Sequence, residues 1–187
     1  MKRLFVILFS FLLITITAPI FVIISLIIFF LYKRPIFFLQ ERAGKNRIPF
    51  KIIKFRTFNK NNVVSGKFAY YLRRVKLDEL PQLFNILKGD LSFVGPRPLY
   101  LKYTKLYNKE QLRRLNVKPG LTGLAQIKGG NSLPWKKKFE LDTEYVDNNN
   151  FLIDLKIILI TLIQFFLNFF YKNKNFIKSE QSDFEGN

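Results

Sequence analysis

Residues 4–32 read LFVILFSFLLITITAPIFVIISLIIFFLY, an almost wholly apolar run without a single charge. As a straight helix it is roughly 40 Å long at ~1.5 Å per residue, more than the ~30 Å hydrocarbon core of a bilayer requires. Lys2 and Arg3 flank one end, and Lys33 and Arg34 flank the other. Basic flanks stay on the cytoplasmic side, so the pattern puts both ends there. Pro19 stands near the middle, where its missing N–H and its ring bend a helix. A bent, re-entrant membrane helix over 1–34, with Pro19 as the bend, satisfies both facts. A secretory leader shares the basic start and apolar stretch. It fits less well, because the run continues past Pro19 and no small-residue cleavage site precedes it.

Beyond this helix the chain is sized for one compact domain, with 187 residues in all. Hydrophobic residues make up 49% and include 22 Phe, enough for both a core and a membrane surface. Lys and Arg number 31 against 13 acids, a net charge of +18. That balance calls for an anionic partner: nucleic acid, an acidic membrane face or a phosphorylated small molecule. A nucleotide-biased genome rich in Lys, Asn, Ile and Phe codons contributes to the same composition. Cysteine and histidine are both absent. Disulfides, thiol nucleophiles, histidine bases and the usual zinc ligands are therefore excluded. Chemistry falls to Asp, Glu, Lys, Arg, Tyr, Ser or Thr, with a hard cation such as Mg²⁺ as the metal to expect.

From residue 35 to 172 the pattern is mixed, basic and globular. Ile36–Leu39 and Phe50–Phe55 read as two strands of a hairpin around Gly44 and Asn46. Between Lys33 and Lys76 there are thirteen basic residues and one acid, Glu41, which suits a surface against anionic headgroups. Pro81–Lys88 reads as a short helix stopped by Gly89, Leu99–Leu115 as an amphipathic helix and Pro119-Gly120 as a turn. Another helix starts at Pro134, capped by Asn131 or Ser132. Over Phe151–Tyr171, Asp154, Thr161, Gln164, Asn168 and Lys172 draw one polar stripe. An interfacial helix with its Phe and Ile face in lipid fits that stripe, and so does a helix packed on the domain. Residues 173–187 read as a polar, disordered tail. The fold class expected is α+β and mainly helical: a re-entrant membrane helix, a small strand hairpin and amphipathic interfacial helices.

Four places could carry chemistry. Asp78-Glu79 precede a helix whose positive end favours ionised carboxylates, amid Arg73, Arg74 and Lys76; position alone favours a plain capping role. In Gly95-Pro96-Arg97-Pro98, the prolines stiffen the backbone around an Arg suited to bidentate phosphate binding. A rigid linker with an exposed Arg fits equally. Pro119-Gly120-Leu121-Thr122-Gly123 is a turn-rich loop of low specificity. Asp142 shares the apolar face of its helix with Trp135, Phe139 and Val146, so it is either paired or turned to a site.

Taken together, several blocks resemble the bacterial sugar transferases, the monotopic phosphoglycosyl transferases that begin lipid-linked glycan assembly. They are Lys54-Phe55-Arg56-Thr57, Leu77-Asp78-Glu79-Leu80-Pro81-Gln82-Leu83-Phe84-Asn85, Leu87-Lys88-Gly89-Asp90, Ser92-Phe93-Val94-Gly95-Pro96-Arg97-Pro98 and Lys118-Pro119-Gly120-Leu121-Thr122-Gly123-Leu124-Ala125-Gln126. The resemblance runs from the first apolar helix to about Thr161, in order. It implies a UDP-sugar donor, a polyprenol phosphate acceptor such as undecaprenyl phosphate, and release of UMP. It implies Asp78 as the nucleophile of an Asp-Glu dyad that forms a covalent phosphosugar, with Glu79 assisting. Asp78 and Glu79 would hold Mg²⁺, while Arg73 and Arg97, the latter set between Pro96 and Pro98, would bind phosphate. The place implied is the cytoplasmic face of a bacterial inner membrane, with membrane lipid and no nucleic acid as partner, at the first membrane step of O-antigen, capsule, exopolysaccharide or glycoprotein assembly. Two departures stand out. Ala18-Pro19 replaces the family's usual Ser-Pro, and Lys128-Gly129-Gly130 stands where the family often has Asn-Gly-Arg. The rival reading is a non-catalytic, membrane-tethered basic module for anionic lipid or nucleic acid. It explains the charge but not the ordered blocks. A glycosyltransferase that leaves UDP is a third.

Overall fold

The computed structural model describes residues 3–58, 66–170 and 183–186, with only the backbone at Asn168. Helix α1 (Arg3–Tyr32) runs without interruption through Pro19. Its hydroxyls bond back to the helix itself: Ser10 to Val6 O, Thr15 to Phe11 O, Thr17 to Leu13 O and Ser25 to Phe21 O, at 2.6–3.0 Å. Each polar group is thus satisfied internally, which leaves an apolar exterior. Val6, Ser10, Ile24 and Ile28 are buried against the domain, while Leu4, Leu8, Phe11, Ile16 and Phe30 stand exposed. Both ends of α1 are tied to the same domain. At one end, Arg3 donates to the carbonyls of Ile86 and Leu87. At the other, Arg56 donates to Arg34 O at 3.1 Å.

Strands β1 (Phe37–Ala43) and β2 (Pro49–Phe55) form the expected hairpin, with Phe37 opposite Phe55 and Ala43 opposite Pro49. It is longer than the apolar residues suggest, because Gln40, Glu41 and Arg42 continue β1. Phe50, Ile52 and Phe55 point inward, and Phe21 of α1 meets the rings of Phe37 and Phe55. After α2 (Gly66–Arg74) comes the 3₁₀ turn Leu77–Glu79, then α3 (Gln82–Lys88). Gly89, at φ 102°, closes α3 in the left-handed conformation that glycine adopts freely. Asn85 fastens α3 to the hairpin: its Oδ1 accepts from Ile53 N at 3.0 Å and its Nδ2 donates to Lys51 O at 2.8 Å.

Three expectations are corrected. Leu99–Leu115 is not one helix but a 3₁₀ turn (Leu101–Lys105), the short α4 (Lys109–Leu112) and a second 3₁₀ turn (Arg113–Asn116). Asn108 causes the restart, because it and Gln111 form a reciprocal capping box. Gly120–Thr122, read as a turn, is β4, parallel to β3 (Ser92–Val94). Neither Asn131 nor Ser132 caps α6 (Trp135–Asn148); both sit in a 3₁₀ turn, and Pro134 takes the N-cap place.

Helix α5 (Leu124–Ile127) and helix α7 (Phe151–Phe170) complete the fold. The polar stripe of α7 faces the protein: Tyr145 donates to Asp154 at 2.7 Å, Thr161 meets Thr122 at 2.7 Å, and Gln164 donates to Ile127 O at 2.9 Å. Leu152, Ile163, Phe166 and Phe170 are left exposed on the outside. So α7 packs on the domain through its polar side and turns its apolar side outward. Lys172 and most of the 173–187 tail lie outside the described residues. Where a disordered tail was expected, Asp183 bonds Tyr103 at 2.6 Å, and Phe184 is buried against Trp135 and Phe139.

Candidate active site

The Asp78-Glu79 turn is built by opposed pieces. Helix α2 delivers Arg73 and Arg74 in its last turn, and Lys76 reverses the chain at φ 57°. The chain then enters the 3₁₀ turn, where the Glu79 carboxylate meets β2 through Lys54 and the Gly95–Pro98 segment through Arg97. Neither the turn nor the start of α3 has a side-chain cap. A capping role for the acids is thereby set aside. Asp78 is only 7% exposed, and Glu79 Oε1 receives Lys54 Nζ at 2.7 Å and Arg97 Nη2 at 3.1 Å.

The two carboxyls are driven apart electrostatically. Burial, reinforced by the neighbouring Glu79 charge, pushes Asp78 up to about 6, against the opposing pull of Lys54, Arg73 and Arg97. Burial also works to raise Glu79, but Lys54 and Arg97 outweigh it and hold Glu79 well below the usual carboxylate range. Glu79 in turn raises the pKa of Arg97. Adjacent carboxylates whose environments split them this way take different roles. Glu79 is a fixed anion engaged by two cations, and Asp78 is the more basic group, largely ionised at neutral pH.

Arg97 is held through its backbone. Gly95 N donates to Thr122 O at 2.9 Å, Gly120 N donates to Pro96 O at 3.0 Å, and Arg114 Nη2 donates to Arg97 O at 2.7 Å. A Cβ on Gly120 would lie 2.1 Å from Gly95 N, so only glycine lets these segments approach. Arg114 is itself clamped, with Nε and Nη2 on Asp142 Oδ2 at 3.0 and 2.7 Å. Pro96 and Pro98 are buried, while the Arg97 side chain keeps 40% of its surface open. The structure thus brings Asp78, Glu79 and Arg97 together. Arg73 lies over the Phe58 ring at 4.7 Å, close enough to act on Asp78 through its charge.

Pro19 is exposed on α1 and is not part of this cluster. Its neighbours Thr17, Ala18, Phe21 and Val22 instead wall an apolar cavity of about 120 Å³ whose far side is Leu80, Leu83 and Phe84. Leu80 directly follows Glu79, so the cavity begins beside the dyad. Sequence reasoning gave no role to Lys54, Asn85 or Arg114. Their partners lie 25 to 34 positions away, a distance no local pattern spans.

The chain matches the bacterial sugar transferase family over residues 1–168. It is 50% identical over 138 residues, 68% of either chain, to the Bacillus subtilis protein described as uncharacterized sugar transferase EpsL. It is 35% identical to the Klebsiella pneumoniae UDP-glucose:undecaprenyl-phosphate glucose-1-phosphate transferase, over 89% of this chain and 40% of that one. It is 34% identical to the Aeromonas hydrophila UDP-N-acetylgalactosamine-undecaprenyl-phosphate N-acetylgalactosaminephosphotransferase, over 68% of this chain and 34% of that one. The latter two relatives are thus more than twice the matched length. With the match covering the apolar helix, the paired carboxylates and the Pro-Arg-Pro segment alike, this chain belongs to the bacterial sugar transferase family.

Proposed function

We propose that the protein transfers a sugar 1-phosphate from a UDP-sugar to a polyprenol phosphate, undecaprenyl phosphate in a bacterial membrane, and releases UMP. The observation that carries this reading is the buried Asp78-Glu79 pair beside Arg97, with one carboxylate tied by cations and the other kept basic. The Asp78 carboxylate attacks the β-phosphorus, the bond from that phosphorus to the bridging oxygen breaks, and UMP leaves with that oxygen. The phosphosugar remains on Asp78 as an acyl phosphate. An oxygen of the polyprenol phosphate then attacks the same phosphorus, which frees the carboxylate and gives a polyprenyl-diphosphate sugar. No proton is gained or lost by Asp78, so the absence of histidine is no obstacle.

Arg97 and Arg73 offset the charge of the diphosphate, and Glu79 keeps Arg97 oriented. The donor set fits Mg²⁺, which binds through one or two carboxylates together with substrate phosphates. Among the described residues there is no cluster of three acids that would make a protein-only cage. Asp78 and Glu79 would hold the ion, and its chemistry there is neutralisation of phosphate charge.

A donor from water and an acceptor from lipid must meet at an interface. The exposed apolar faces of α1 and α7 support membrane attachment. The ties from Arg3 and Arg56, which hold both ends of α1 to one domain, support a re-entrant rather than a crossing helix at the cytoplasmic face. This would be the first membrane step of a surface glycan or glycoprotein pathway. Incubation of the purified protein with UDP-sugars and polyprenol phosphate tests the reading. It expects UMP, an adduct on Asp78 when the acceptor is left out, and parallel double-reciprocal lines. UDP as the product would mean glycosyl transfer instead, and no nucleotide product at all would mean a binding module.

A further inference from the structure

Arg42 carries a charge that the proposed chemistry leaves unused. In the hairpin register it stands opposite Phe50, and Phe38 stands opposite Lys54, so Arg42 and Lys54 project from the same face. Lys54 reaches Glu79 at 2.7 Å. Arg42 has no such partner: among the described residues it meets no carboxylate within ion-pair distance. Its guanidinium lies 3.8 Å over the Tyr100 ring, and its Nη2 donates to Gln40. Gln40 donates in turn to the Tyr100 hydroxyl at 3.2 Å. The next residue, Ala43, donates its N–H to Leu99 O at 3.0 Å, which fixes the strand against the segment that carries Arg97. Burial lowers the Arg42 pKa, Tyr100 opposes that, and the neighbouring Arg97 lowers it further. Glu79 is the acid that acts on Arg42 from a distance, and it is already engaged by Lys54 and Arg97. A half-buried cation beside another cation costs free energy until an anion arrives.

We infer that Arg42 grips the α-phosphate of the donor, the phosphate that leaves with the nucleotide. The inference rests on the proposed UDP-sugar reading and deepens it. Arg97 touches Glu79 and pulls on Asp78, so it belongs to the phosphate that Asp78 attacks. The cations that pull on Asp78 are Lys54, Arg73 and Arg97, whereas Arg42 is felt at Arg97 and Glu79. Arg42 therefore stands one step farther from the nucleophile, as the α-phosphate stands one bridging oxygen beyond the β-phosphorus. When Asp78 attacks, the bond from that phosphorus to the bridging oxygen breaks, and its electron pair stays on the oxygen. The departing UMP phosphate thereby gains negative charge, and a cation already in place stabilises it as it forms. No proton and no further reactant is needed. A stacked guanidinium suits the role, because the ring fixes its plane while the edge carries its N–H donors. Both arginines keep surface open to solvent, 40% of the side chain at Arg97, so a phosphate meets them without entering a closed cavity. The charge balance agrees: Arg42, Lys54, Arg73, Lys76 and Arg97 act on the dyad, five cations against two carboxylates, and a diphosphate fills the surplus. The acceptor phosphate shares this chemistry, and the two half-reactions separate the sources.

Half-reactions of the full chain in detergent test this, on wild type, Arg42→Met and Arg42→Lys. Adduct formation on Asp78 is timed with a UDP-sugar and no acceptor. Discharge is timed by adding polyprenol phosphate to the preformed adduct, freed of UMP. UMP itself serves as the binding probe. Arg42→Met is expected to weaken UMP by roughly ten- to hundredfold, the range of a charged hydrogen bond, to slow adduct formation at least as much, and to leave discharge unchanged. Arg42→Lys keeps the charge but not the planar fork, so it is expected to fall between the two. Because Arg42 leaves no carboxylate unpaired behind it, the ligand-free unfolding midpoint of Arg42→Met is expected to stay level or rise. UMP is expected to raise the wild-type midpoint but not that of Arg42→Met. An unchanged UMP affinity in Arg42→Met overturns the inference. Discharge slowed more than formation gives Arg42 to the acceptor phosphate and overturns it too. So does a midpoint lowered by several degrees with both half-reactions slowed alike, the mark of a brace for the hairpin. If wild type forms the adduct while Arg42→Met binds UMP as wild type does, only this inference fails. If wild type forms no adduct and releases no UMP, the functional reading fails with it.

Discussion

Replacing Asp78, the proposed nucleophile, is expected to make the protein more stable. Asp78 carries a folded-state pKa of about 6 against an ordinary 3.8, because burial and the Glu79 charge penalise its ionised form. The folded state therefore holds this proton more tightly than the unfolded chain does. Its contribution favours folding below the unfolded pKa and is lost as pH rises through about 6. At neutral pH the ionised carboxylate works against the fold. At ~1.36 kcal/mol for each tenfold change in proton affinity, the rise from 3.8 to about 6 corresponds to roughly 3 kcal/mol at most. An amide of the same shape still pays for burial, so Asp78→Asn is expected to gain on the order of 1–3 kcal/mol at pH 8. For a chain this size that is a midpoint rise of roughly 2–12 °C. Thermal unfolding in one detergent at pH 8, 6 and 4 reads it, beside a UMP assay in which the variant is dead. The gain is expected to shrink as pH falls and to be mostly gone by about pH 4, where Asp78 is protonated in the folded state and about half protonated in the unfolded one. A midpoint at pH 8 that is unchanged or lower refutes the reasoning, and so does a gain that persists undiminished at low pH.

Lys54→Met removes the 2.7 Å partner of Glu79 and leaves Arg97 alone to hold the charge. Lys54 pulls down Asp78 as well as Glu79, so its loss raises Asp78 and the acid limb of the pH–activity curve is expected to move to higher pH, with a loss near ~3 kcal/mol in unfolding at pH 7. A limb that stays in place counts against Asp78 as the group whose ionised form reacts. Gly120→Ala drives a Cβ to 2.1 Å from Gly95 N and is expected to cost more than ~4 kcal/mol, seen as loss of folded protein; near-normal yield and midpoint would show that β3 and β4 can part. For topology, the chain has no cysteine of its own, so single cysteines at Leu4 and Lys33 can be labelled from outside spheroplasts. Both are expected to be protected, and labelling at Leu4 alone would mean a crossing helix. Asp142→Asn weakens a pair whose side chains are 4% and 2% exposed, and about 3 kcal/mol or more is the expected loss at pH 7; a variant as stable as wild type would show that Arg114 finds support elsewhere.

What the sequence announces here is whatever repeats or is punctuated locally. The charge-free run gives α1, Pro81 and Gly89 bracket α3, and the spacing of Asp154, Thr161 and Gln164 gives the stripe of α7. The stripe says where the polar side is but not what covers it. Its partners, Tyr145, Thr122 and Ile127, lie on three other elements, and only their positions decide that the apolar side is left outside. Strands β3 and β4 are too short for any period to register, and their pairing depends on the bare backbones of Gly95 and Gly120. The break in Leu99–Leu115 was visible in principle, since Asn108 and Gln111 have capping-box spacing inside the apolar pattern.

The chemistry divides along the same line. Asp78-Glu79 and Pro96-Arg97-Pro98 are compact enough to be seen, but position alone favoured a cap for the first and could not choose between phosphate binder and linker for the second. Their meaning comes from one distance that no local reading supplies, Arg97 Nη2 to Glu79 Oε1 across 18 residues at 3.1 Å. Asp142 makes the point most fully. An acid on the apolar face of a helix had to be either paired or turned to a site, and it is paired, through one oxygen alone. Oδ2 takes two donors from Arg114, which in turn holds the carbonyl of Arg97, while Oδ1 remains unpaired among the described residues. A change at Asp142 is therefore expected to reach Arg97 through Arg114, which holds its carbonyl.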